Sequence, residues 1–224
     1  AGMLFRASLP LMEWNFPLLP CLHKAGKRDK IFLYFRKDIN EFEVSYTMNN
    51  IRLLAQKFRK AMDKANSAGY FSDLIAFRYF PRGACGDTCL LLAEYLLKHG
   101  IYTAYVCGQK YPNVCGEKNP QSHAWLLVVN KSDFEYNENR KNAISHYYEL
   151  VLHGGTIIDI TGDQFSDDAD FLNYDEPVYV GKEDAFHKLF EIDEVHKCGG
   201  LEEVIFSNQD CMHHLYNIIK RLIV

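Results

Sequence analysis

Three residues far apart in the chain have the types and local settings that acyl-transfer chemistry uses. Cys85 stands in GACGDTCLLLAEYLLKHG, just after Gly83-Ala84 and just ahead of an apolar helical run. Unpaired backbone N–H groups and the helix dipole favour a thiolate at such a place, and the thiolate is the nucleophilic form of cysteine. The same amides can stabilise the oxyanion formed on an attacked carbonyl. His123 opens the apolar run of SHAWLLVV, where an imidazole has little reason to stand unless it faces a cleft. Trp125, two residues on, falls on the same strand face and can shield the ring. Asp159 in GTIIDIT is a carboxylate between isoleucines, an expensive place for a charge that has no partner. A thiolate nucleophile needs a base, and the base needs an orienter. The three residues therefore predict attack by Cys85, proton transfer by His123 and orientation of the ring by Asp159.

Neighbouring residues offer alternatives. Cys89, one turn deeper in the same helix among leucines, reads as core. Asp163, in TGDQF, is a second candidate for the orienter, and Gln164 beside it reads as a local cap or pair, or else as a polar group of the site. His153 and His187 read as loop residues, and His213 and His214 as an exposed helix surface. A structural zinc is a rival use for Cys85 with Cys89, for His196 with Cys198, and for Cys211 with His213 and His214. None of these sets has the paired, tight-turn spacing of zinc modules, so neither a metal nor a cofactor is expected.

These residues need a framework. Ile51, Leu54, Phe58, Met62 and Ala65 recur at helical spacing after Asn49-Asn50, which predicts a helix ended by Gly69. Arg52, Lys57, Arg59, Lys60 and Lys64 fill its other positions and read as a solvated face. Pro81 and Gly83 mark a turn into the Cys85 helix, which Gly100 closes. IYTAYVC and SHAWLLVV read as strands around a loop at 108–121, and KSDFEYNENRKN as a surface loop. YYELVL and TIIDIT read as a hairpin turning at Gly154-Gly155, PVYVG as a further strand, and the segment from Asn208 to Val224 as a closing amphipathic helix. Residues 1–47 differ in character, with a basic loop (KAGKRDK) and two strand-like runs, IFLYFR and FEVSY. They form an N-terminal extension to a domain spanning 48–224. A helical front end, a central helix and then mostly antiparallel strands make an α+β arrangement rather than an alternating nucleotide-binding sheet. GACGDT also lacks the Lys-Ser/Thr ending of a P-loop.

Composition narrows the class of partner. The chain has 224 residues, enough for one domain with an appendage, and its formal net charge of −4 gives no reason to expect nucleic acid. No apolar run reaches the roughly 18 residues that a membrane span needs, so no membrane partner is expected. The seven cysteines are odd in number and scattered, unlike a secreted disulfide scaffold. A soluble, cytoplasmic protein with reduced thiols is the expectation, a secreted effector being the alternative.

The run GACGDTCLLLAEYLLKHG, then SHAWLLV, then GTIIDITGDQF resembles the core of the transglutaminase-like branch of the papain-like cysteine enzymes. The resemblance covers residues 80–165. It implies a central helix that bears the cysteine and packs on an antiparallel sheet, with Cys85 as nucleophile, His123 as general base and acid, and Asp159 as orienter. It also implies a protein or peptide substrate and a thioester intermediate, whether the enzyme is a peptidase (a thiol protease), a deamidase or a transglutaminase. The chain departs from the papain branch in having no glutamine just before Cys85 to act as an oxyanion donor. A non-catalytic protein-binding module that keeps the same fold is the competing reading.

Overall fold

Neither glycine nor proline interrupts the chain between Arg28 and Ser67, and that stretch forms one long helix, α1 (Arg28–Ser67). The computed structural model describes residues 28–111, 120–132, 140–201 and 209–224. Two compact units divide the chain, residues 1–42 and residues 43–224. The strands expected at IFLYFR and FEVSY are thus helical, and no new helix opens at Asn49. The reason lies in the spacing: Ile31, Phe35, Ile39, Phe42 and Tyr46 recur every three or four residues, a period that a strand cannot use. Gly69, with φ of 83°, ends the run as expected.

The second unit combines helices with a five-stranded sheet in which every pairing is antiparallel. Helix α2 (Cys85–Lys98) leads into β1 (Tyr102–Lys110) and β2 (Gln121–Val129), followed by α3 (Arg140–Leu152), β3 (Ile157–Asp159), β4 (Tyr179–Gly181), β5 (Glu191–Lys197) and α4 (Gln209–Leu222). The sheet order is β4-β3-β2-β1-β5. This is an α+β fold, as the sequence predicts.

Alternation along the strands builds two cores. Ala124, Leu126, Ile158 and Val180 face one way and pack with Ile51, Phe58 and Met62 of α1, Leu91 and Leu92 of α2, and Leu215 and Ile219 of α4. Trp125, Leu127 and Ile157 face the other way, onto Tyr147 of α3 and the rings of Phe165, Phe171, Phe186 and Phe190. His123 and Asp159 share the parity of Trp125 and Ile157, so both belong to the aromatic face.

Two expectations fail for identifiable reasons. YYELVL is not a strand but the end of α3, because Ile144, Tyr147 and Val151 are spaced to bury one helical face. Gly154, with φ of 87°, then closes that helix. The strand β5 has no clear signature in the sequence because Glu191, Asp193 and Glu194 mask its two buried residues, Ile192 and Val195. It lies at the sheet edge, where charged side chains are common. The surface loop expected at 131–142 is replaced from Arg140 by α3, and positions 133–139 and the loop residues 112–119 lie outside the described residues.

Candidate functional site

The nucleophile candidate sits where the sequence predicts, at the first residue of α2. Ala84 caps that helix without a side-chain bond, and the Thr88 amide is the one that bonds back to Ala84 O, at 2.9 Å. The amides before it in the first turn therefore have no partner within the helix. Cys85 is half-buried, its thiol close enough to the imidazole of His123 and to the Ala124 backbone amide for both to act on its proton affinity. Burial pushes the thiol up, but the hydrogen bond and charge of His123, with help from the Ala124 amide, outweigh it and hold the thiol below its ordinary value. Cys89 behaves oppositely. It is buried in the core, and desolvation raises it well above an ordinary thiol.

His123 is fully buried on β2. The rings of Trp125, Phe165, Phe186 and Phe190 surround it at centroid distances of 5.3 to 5.8 Å. Gly108 lies directly across from His123 on β1. A Cβ there would meet Phe190 Cβ at 2.7 Å and Trp125 at 3.4 Å, so glycine is what lets the two rings close over the imidazole.

Asp159 reaches His123 from the next strand. β2 and β3 pair only at Leu126–Ile158 and Leu127–Ile157. Continuing that register puts Asp159 across from Trp125, one diagonal step from His123, a separation that long side chains bridge. Nε2 of His123 lies 2.8 Å from Asp159 Oδ2. The other carboxylate oxygen accepts from the Thr161 amide at 2.9 Å and the Thr161 hydroxyl at 3.3 Å. Burial pulls the imidazole down, but the charge and hydrogen bond of Asp159, then those of Cys85, lift it to about 10. Asp159, opposed by its own burial, is held far below the ordinary carboxylate range by His123 first and by His187 second. With Nε2 committed to Asp159, Nδ1 is the ring nitrogen open to other partners.

Past Asp159 the chain turns sharply at Gly162–Gln164. A Cβ on Gly162 would sit 2.6 Å from Tyr174 and 2.9 Å from Asp159 Oδ2, so only glycine passes this close to the carboxylate. Asp163, the alternative orienter, points away from the imidazole to Arg59, which it grips with both oxygens at 2.7 and 2.9 Å. Arg59 also donates to Ile160 O at 2.6 Å, Pro177 O at 3.0 Å and Asp63 at 2.9 Å. It is 6 % exposed, so the solvated role expected for it is wrong. Arg59 falls beside Phe58 on the buried side of α1, and four of its hydrogen bonds run to the segment beyond Asp159. Arg52 likewise donates to Val180 O at 2.6 Å.

Two more residues belong to this cluster. Gln164 is buried; its Oε1 accepts from the Gly83 amide at 3.2 Å, and its Nε2 donates to Thr161 O at 3.0 Å. These two backbone groups fix which end of the amide is which. Nε2 consequently faces His123 Nδ1 as a donor, at 3.1 Å. His187, expected in a loop, is fully buried with Nε2 3.4 Å from Asp159 Oδ2 and Nδ1 2.7 Å from Asp184 Oδ1. Its sequence carried a signal: EDAFHKLF sets Asp184 three residues before the histidine and two phenylalanines around it. Among the described residues no three His, Cys, Asp or Glu side chains are grouped to hold a metal ion. None of the described helices is long and apolar enough to cross a membrane.

Compared with models of known protein families, with curated proteins and with solved structures, the chain matches none.

Proposed function

We propose that the protein is a cysteine-dependent acyl-transfer enzyme on a transglutaminase-like, papain-like framework, acting on an amide of a protein or peptide through a Cys85 thioester. One observation carries this reading. A thiol at a helix start lies close enough to a buried imidazole to be held by it below its ordinary value, and Nε2 of that imidazole is 2.8 Å from a buried carboxylate.

The chemistry runs in two halves. The Cys85 thiolate attacks the amide carbon, and the carbonyl π electrons move to oxygen, where the unpaired amides of the first α2 turn can hold the charge. Collapse of the tetrahedral species breaks the C–N bond, and His123 gives its Nδ1 proton to the leaving amine. The products are a Cys85 thioester and a neutral His123. Water or an amine then loses a proton to Nδ1 as it attacks the thioester, and the thiolate leaves. Water makes the protein a peptidase or deamidase, and an amine makes it a transglutaminase. Asp159 holds Nε2 throughout and keeps Nδ1 turned to sulfur.

The test is intact-protein mass spectrometry after exposure to iodoacetamide and to an electrophilic peptide probe, with the modified cysteine mapped. Labelling is expected at Cys85 and not at Cys89, with loss of site labelling and of amide turnover in Cys85→Ala and retention of both in Cys89→Ala. Equal labelling of the two cysteines, or full turnover in Cys85→Ala, would overturn the reading.

A further inference from the structure

Behind Asp159 lies a second carboxylate–imidazole pair that the steps above leave unused. Asp184 follows β4 in the chain, and its side chain is 26 % exposed. Its Oδ1 meets His187 Nδ1 at 2.7 Å and the His187 amide at 3.0 Å, while Oδ2 accepts from the Tyr174 hydroxyl at 3.3 Å. The other edge of the His187 ring faces Asp159 Oδ2 at 3.4 Å. The remaining groups around the ring are uncharged: Trp125 of β2, Tyr179 of β4, and Tyr174 and Phe186.

This geometry decides which protons His187 carries. Asp184 is ionised at neutral pH, so Nδ1 must bear a hydrogen to donate to it. Were Nε2 to bear only a lone pair, two acceptors would face each other in a site closed to water, which is costly. A hydrogen on Nε2 replaces that repulsion with attraction between an imidazolium and two carboxylates. At 3.4 Å the contact with Asp159 is long for a hydrogen bond and is chiefly one of charge. The balance of forces agrees: burial opposes the charge on His187, and Asp159 and Asp184 outweigh it.

We propose that His187 is a positioning residue of the site, an imidazolium clamped between Asp184 and Asp159 that shares the Asp159 carboxylate with His123 and so limits how tightly that carboxylate keeps the proton on the base. The inference rests on the reading of His123 as the general base. A base works best when its proton affinity lies near the operating pH. A buried carboxylate devoted to His123 alone would hold the ring charged well beyond that range. A positive charge on the far side of Asp159 opposes this, and it costs the nucleophile nothing because it also favours the thiolate.

The test is a pH titration of the histidine ring nitrogens by 15N NMR in the full chain, with wild type, His187→Gln and Asp184→Asn compared. Asp184 is partly open to solvent, so its variant remains informative if His187→Gln does not fold. In wild type at pH 7, His187 is expected to be protonated on both nitrogens. Removing its charge, directly by His187→Gln or by the loss of its proton in Asp184→Asn, is expected to move the His123 midpoint upward by about one unit, a tenfold gain in proton affinity. A His187 ring that is neutral at pH 7 in wild type, or a His123 midpoint that stays or falls once the His187 charge is gone, would overturn the proposal. These signals need no substrate. A protein that turns over no amide while its His123 midpoint still rises would therefore count against the acyl-transfer reading and not against this one.

Discussion

The amide nitrogen of Gln164 stands 3.1 Å from Nδ1 of His123, the nitrogen that takes the Cys85 proton in the proposed mechanism. Backbone groups of Gly83 and Thr161 lock the amide in that orientation, so a donor points at the ring where the thiol proton would go. A donor there favours the ring with its Nδ1 lone pair free, and hence the neutral thiol–imidazole pair over the charged one. Gln164→Ala is expected to shift the pH profile of Cys85 alkylation by iodoacetamide to lower pH, by up to about one unit for one neutral hydrogen bond. The same substitution leaves the Gly83 amide without its acceptor and takes one of the two donors from Thr161 O, so a modest fall in melting temperature should accompany the shift. An alkylation profile that does not move, or moves to higher pH, would mean that the amide does not act on the ring.

The pH dependence of reactivity follows from the opposite environments of the two helix cysteines. With Cys85 below and Cys89 well above the ordinary thiol value, alkylation of this pair at neutral pH should fall on Cys85 alone, apart from any labelling of the exposed Cys211. Rates should begin to rise at a lower pH than for an unfolded thiol. Stability has its own window. His123 is raised on folding to about 10, so its contribution is fully present below the ordinary imidazole value and is lost as pH rises through about 10. Asp159 is depressed on folding, so its contribution is present above the ordinary carboxylate value and is lost as pH falls toward its folded one. Melting temperature against pH should show a plateau that ends near 6.5 and a decline that runs from there to about 10. A plateau unbroken to pH 11 in calorimetry would contradict the His123–Asp159 pairing.

The elements that carry the site were legible because each has a local signature. Gly83 before and Gly100 after bracket α2, and the apolar run of SHAWLLVV marks β2. The charge of Asp159 stands out against its isoleucines. What stayed hidden was whatever depends on a distant partner. Arg59 looked solvated because nothing near it in sequence reveals that Ile160, Asp163 and Pro177 converge on it. His187 looked like a loop residue because its acid partner Asp159 is 28 positions away and its burial comes from rings on other elements. The first turn of the error over YYELVL was a local one: it combines β-prone tyrosines with a helical period, and the period won once Tyr147 could be buried.

Arg59 holds the segment that follows Asp159, so its loss should be felt as stability. Its side chain is 8 % exposed and that of its partner Asp163 20 %, which makes the pair largely desolvated. Removing one member of such a pair leaves the other buried without compensation, at a cost of about 3 kcal/mol. Arg59→Met should lower the melting temperature by roughly 6–12 °C for a chain of this size. Combining it with Asp163→Leu should recover part of the loss, because the stranded charge is gone. Additive destabilisation in the double variant would show that the two residues act independently.

Asp159→Asn separates orientation from architecture. Asparagine can keep an oxygen for the Thr161 amide, which now bonds Asp159 Oδ1 at 2.9 Å, but it brings no charge to His123 or His187. Burial is then opposed only by Cys85, and the His123 midpoint should fall well below about 10. The ring also loses the acceptor that fixes the tautomer with Nδ1 free, and in a Ser-His-Asp triad this costs on the order of 10⁴-fold in turnover. Stability should fall as well, because two buried imidazoles share this carboxylate. Turnover, the His123 midpoint and the melting temperature measured on one sample decide the matter. A large fall in turnover with a lowered midpoint in a folded protein is the expected result. Turnover within tenfold of wild type would mean that Asp159 serves the fold and not the reaction.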